Sequence, residues 1–140
     1  MFKINLPYHL IIPAMISALV LTVLIYKRKT LFKVGNWKWY WISFTVFLLS
    51  YLFLIGGATF SSITSEIALQ KYDLNDDGFF NGNEITSDQK LALTKVTADT
   101  GRNFIIITGL VFSAIIGLIV FAMGKIIEYY KFKKKLDYSN

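Results

Sequence analysis

The chain has 140 residues, 54% hydrophobic and only 17% charged, too little charge for a soluble domain, where about 25% is usual. Its net charge of +6 would suit a nucleic-acid binder, but the basic residues sit beside long apolar runs, which is the pattern of membrane topology. The absence of cysteine excludes disulfides, thiolate zinc sites, thiol nucleophiles and covalent haem attachment, and the length allows one domain.

The first apolar run, from Ile4 to Tyr26, contains no Asp, Glu, Lys or Arg. A helix rising 1.5 Å per residue needs about 20 such residues to cross hydrocarbon, so a span is predicted near residues 7–26. The basic cluster Lys27, Arg28 and Lys29 follows the run instead of preceding it, and no small-x-small cleavage pattern ends it. It therefore reads as a stop-transfer flank and not as the end of a signal peptide. Pro13 removes a backbone donor and is expected to bend this span. His9 falls near its outer end, either as a wet interfacial residue or as a relay or ligand.

The second run, from Trp39 to Ser65, is free of charge, and so is the third, from Asn103 to Gly124. They predict spans near 40–60 and 103–125. Trp37, Trp39, Tyr40 and Trp41 mark the headgroup layer at the entry to the second span, with Tyr26, Tyr129 and Tyr130 at the same level. Small residues recur every four positions as Gly109, Ser113 and Gly117 and as Ala14, Ala18 and Thr22. This spacing lets helices approach closely, either within the bundle or between copies. The expected fold is all-α: a three-helix membrane domain, an insertion over residues 61–101 and a basic tail over 126–140.

Orientation follows from lysine and arginine, which stay on the cytoplasmic side. The first loop carries Lys27, Arg28, Lys29, Lys33 and Lys38 and no acid; the tail carries Lys125, Lys131, Lys133, Lys134 and Lys135. The second loop instead carries Glu66, Asp73, Asp76, Asp77, Glu84, Asp88 and Asp99 against Lys71, Lys90, Lys95 and Arg102, while the tail's acids are only Glu128 and Asp137. The N-terminus and the insertion are expected outside, with the first loop and the tail inside, in a plasma membrane or bacterial inner membrane. The tail sequence Lys131-Phe132-Lys133-Lys134-Lys135 serves topology or attracts anionic lipid.

Within the insertion, Asp73-Leu74-Asn75-Asp76-Asp77-Gly78-Phe79-Phe80-Asn81-Gly82-Asn83-Glu84 resembles the calcium loop of the EF-hand family over all twelve positions. Calcium takes 6–8 oxygen ligands. The resemblance implies a Ca²⁺ site formed by Asp73, Asn75 and Asp77, the backbone carbonyl of Phe79, Asn81 directly or through water, and both oxygens of Glu84. Magnesium fits less well because it holds its waters. Gly78 would make the sharp turn. Ala68, Leu69 and Tyr72 stand where an entering helix has apolar residues. Thr86-Ser87-Asp88-Gln89 reads as a capping box that starts an exit helix bearing Leu91, Leu93 and Val96, with a fresh turn from Asp99 or Thr100 and a break at Gly101. A lone hand implies pairing with another copy, packing against a partner, or a weaker and more mobile site. Calcium would then fix the crossing of the flanking spans, or expose Phe79, Phe80 and nearby apolar residues to a partner, or act as a static clip.

No phosphate loop, nucleophile elbow or metalloprotease motif occurs, and the spans lack the charges that mark ion or proton pathways. The expected role is a non-enzymatic accessory or regulatory subunit that sits in the lipid bilayer and assembles with other membrane subunits or as a homo-oligomer, with no nucleic-acid partner. The alternative is a self-assembling, pore-forming protein: three spans, an outside N-terminus and a basic inside tail look similar to one class of phage holin.

Overall fold

The structure, a computed structural model, describes residues 6–32, 37–75, 77–97 and 100–137. These residues form helix α1 (Tyr8–Tyr26), a single turn α2 (Arg28–Leu31), α3 (Lys38–Gln70), α4 (Ser87–Thr97) and α5 (Thr100–Asp137), with a 3-10 turn at Gly82–Glu84. Among the described residues there is no strand. Three segments are long and apolar enough to cross a membrane, Tyr8–Tyr26, Lys38–Gln70 and one within Ser87–Lys134. The all-helical, three-span reading therefore holds.

Two helices run past the boundaries that hydropathy predicts. The 33 residues of α3 reach about 50 Å, and the 38 residues of α5 about 57 Å, against a hydrocarbon core of about 30 Å. Loss of hydrophobicity ends a span but does not end a helix. No proline interrupts either segment, so α3 continues through Ser65 and Glu66, and α5 absorbs Gly101, where a break was expected. Asp99, the other expected start of a turn, lies outside the described residues. Helix α1 likewise continues through Pro13, where the Ser17 hydroxyl donates to the Pro13 carbonyl at 2.8 Å.

Helix α3 is the spine: α1 and α5 each pack along it and barely touch one another. The α1 contact is a stripe of Leu10, Ser17, Leu21 and Leu24, all buried, at the three-and-four spacing that keeps side chains on one helix face. Leu10 meets Tyr51 and Ile55 of α3 near Ile105 and Ile106 of α5, which is where all three spans join. Nearer the other end, Leu21 and Leu24 pack on Leu48 with Trp41, Phe44 and Leu31 around them.

The α5 contact uses the small residues. Ser113 is fully buried, and Gly109 packs beside Leu54. A Cβ on Gly117 would stand 3.2 Å from the Cβ of Phe47, and one on Gly124 would run into the Trp39 ring. The Ser43 hydroxyl also donates to the Gly117 carbonyl. The stripe seen in the sequence thus serves the internal bundle, and Gly124 extends it by two turns. On the facing side, Tyr40, Phe44, Phe47 and Tyr51 stack along α3 with successive ring centroids 6.4, 6.0 and 6.3 Å apart.

Candidate functional site

The head formed by the end of α3, the loop over 73–84 and α4 gathers the polar chemistry of the described residues. Helix α3 stops at Gln70. The next amides close the turn, Tyr72 donating to Leu69 O and Asp73 to Gln70 O, each at 3.1 Å. The loop then folds on its own acidic side chains. One Asp73 oxygen accepts from the amide of Gly78 at 2.9 Å. The Asn75 side-chain oxygen Oδ1 accepts from the Asp77 amide at 3.0 Å. Asp77 accepts from the Phe79 amide at 2.7 Å and from the Asn75 side-chain amide at 2.9 Å. Glu84 is only 7% exposed. Its two oxygens take the amides of Leu74 at 2.8 Å and Asn81 at 3.0 Å, joining the two ends of the loop. Gly78 and Gly82 adopt positive φ of 81° and 54°, which glycine tolerates without a Cβ penalty.

This geometry corrects the EF-hand reading. Among the described residues, no group of three or more His, Cys, Asp or Glu side chains is placed to hold a metal ion. Asp73, Asp77 and Glu84, the carboxylates among the expected ligands Asp73, Asn75, Asp77, Phe79, Asn81 and Glu84, do not form such a group. The physical reason lies in the acceptors. Short acidic and amide side chains satisfy nearby backbone donors as readily as they ligate cations. Here both oxygens of Glu84 and Asp77, and one of Asp73, turn to separate local donors and not to a common centre; the other Asp73 oxygen, Oδ1, is enclosed and without a hydrogen-bond partner among the described residues. The expectation of Ca²⁺ rested on the resemblance and goes no further.

The flanking predictions fare better. The Thr86 hydroxyl accepts from the Gln89 amide at 3.1 Å and starts α4 as the capping pattern requires. Leu69 is buried as expected, but on α4 the buried residues are Gln89 and Ala92, while Leu91 and Leu93 are exposed. Between the two helices lies a cleft of about 300 Å³ lined by Ser65, Ala68, Tyr72 and Leu91 among others, with Lys71, Asp88 and Lys95 at its polar rim.

Two ties were missed in the sequence. Arg102, which in the sequence counts only toward the charge of the second loop, donates to Ser65 Oγ at 3.2 Å and to the Lys95 carbonyl. It thereby links the start of α5 to α3 and to the end of α4. His9 Nε2 lies 3.0 Å from Asn103 Oδ1, a polar bond between α1 and α5 close to the Leu10 junction. The signal available for both was their position at the edge of an apolar run, where a polar side chain has one wet and one helical neighbour. Comparison with family models, curated proteins and solved structures returns no match.

Proposed function

We propose that this chain is a non-enzymatic integral membrane subunit that docks another protein through the tip of its α3–α4 head. The observation that carries this reading is that Leu74 and Phe79 are 75% and 71% exposed on a turn closed by hydrogen bonds. Exposed apolar side chains on α1, and on α5 as far as Gly124, are covered by lipid. The tip stands beyond the charge-free stretch of α3, among Lys71, Asp73, Asp77 and Asp88, where lipid tails do not reach. Two large apolar side chains held on one rigid turn make economical anchors, because little conformational freedom is lost when they bind.

The lysine and arginine distribution supports a head outside and a tail inside, in a plasma membrane or a bacterial inner membrane. A photo-crosslinking residue placed at Phe79 in native membranes tests the reading. A discrete adduct with a different polypeptide, weakened by Leu74→Ala, is expected. A ladder of adducts containing only this chain would overturn it in favour of the self-assembling pore.

A further inference from the structure

On the opposite half of the bundle, α3 and α5 leave a groove of about 410 Å³ between Tyr40, Phe44 and Phe47 on one side and Ala114, Gly117 and Phe121 on the other. It exists because Ala114 and Gly117 offer almost no side chain opposite the stacked rings of α3. Of its two hydroxyls, that of Ser43 is already bonded to the Gly117 carbonyl and that of Tyr40 belongs to the end of the row; the rest of the wall is apolar. From Tyr40 to Phe47 the groove runs about 10 Å. A helix segment of that length, about 10 Å across, would occupy roughly 800 Å³; a single extended hydrocarbon chain fits better.

The mouth has a different character. Lys38 stands two residues before Tyr40, its ammonium 5.9 Å from the centre of the Trp39 ring, and that ring lies over Gly124 of α5. Lys125 follows directly, 3.1 Å from Glu128. Indole rings and lysines at one level mark the headgroup layer, and lysines near that layer attract anionic lipid. We infer that the groove holds one acyl chain of an anionic phospholipid, whose headgroup meets Lys38 at its mouth.

This rests on the membrane placement, and the test separates the two. Trp37, Trp39 and Trp41 are the only tryptophans; the Trp39 ring lies against Gly124 of α5 while Trp41 packs toward Leu21 and Leu24, so Trp37 and Trp41 are replaced by Phe and Trp39 serves as the reporter. The full chain is reconstituted in phosphatidylcholine vesicles with increasing brominated phosphatidylglycerol or, separately, brominated phosphatidylcholine. Phosphatidylglycerol is expected to quench at several-fold lower mole fraction. Lys38→Gln should reduce that preference about fivefold, the worth of one lysine near an anionic surface, and Ala114→Phe should abolish it by filling the groove. Equal quenching by the two lipids, or a preference untouched by Lys38→Gln, would overturn the inference while leaving the membrane placement standing. No quenching by either lipid would overturn both. A disulfide between two copies of an Ala114→Cys variant would give the groove to a second copy and overturn the lipid assignment.

Discussion

The seam between α3 and α5 and the loop over 73–84 both announce themselves in the sequence as spaced small or polar residues, yet only the seam becomes what its spacing implies. In a helix, a spacing of four fixes the face on which side chains stand. Gly109, Ser113 and Gly117 therefore had to share one side, and α3 fills it. In a loop, spacing fixes order along the chain but not where an oxygen points. Asp73, Asp77 and Glu84 have the order of a metal cage and turn instead to the amides of Gly78, Phe79, Leu74 and Asn81. Periodic backbone carries a sequence pattern into space; irregular backbone leaves several hydrogen-bonded outcomes for one pattern.

The sharpest way to break this comparison is at Glu84. Replacing it with Ala removes the acceptor of two amides from an enclosed position and should destabilise the head by about 3 kcal/mol. Hydrogen exchange at the amides of Leu74 and Asn81 reads this locally. In the unmodified chain these amides should be protected in the presence of chelator. Rapid exchange under chelator would return the loop to a metal-dependent fold.

The seam offers the next effect. Gly124→Ala drives a methyl group into the Trp39 ring and should cost about 2 kcal/mol through overpacking, measurable as detergent-induced unfolding followed by Trp fluorescence. Ser43→Ala loses one interhelical hydrogen bond and should cost about 0.6 kcal/mol, the usual scale inside a bilayer. The smallest effect belongs to Gly109→Ala. Its methyl would sit 3.7 Å from Leu54, an ordinary contact, so stability should change by less than about 0.5 kcal/mol in the same unfolding measurement. If Gly109→Ala proved as damaging as Gly124→Ala, the seam would be set by something other than close approach.

Much of the fold was legible because the membrane imposes few solutions. Three charge-free runs of the right length mean three helices, and the capping pattern at Thr86 located the start of α4. The helix ends were not legible, since Ser65 and Glu66 leave the lipid without leaving the helix. The central place of α3 was not legible either, because every span is apolar around its circumference and no stripe names its neighbour. The stacking of Tyr40, Phe44 and Phe47 was present as a three-and-four spacing of aromatic residues, but such a row gains a meaning only when Ala114 and Gly117 are found across from it. At the head, Phe79 is a partner-facing candidate in the sequence already, but only through calcium; that Leu74 stands exposed beside it is visible only in the folded loop.

The most direct test of the account is the sidedness of the chain, which has no native cysteine to obscure single-cysteine labelling. Intact cells carrying Lys29→Cys, Phe79→Cys or Lys133→Cys would be treated with a membrane-impermeant maleimide. The account predicts that position 79 is labelled in intact cells and that positions 29 and 133 are labelled only after permeabilisation. Labelling of 29 and 79 from the same side would contradict the crossing of α3, and with it the three-span architecture on which the head, the groove and the proposed role depend.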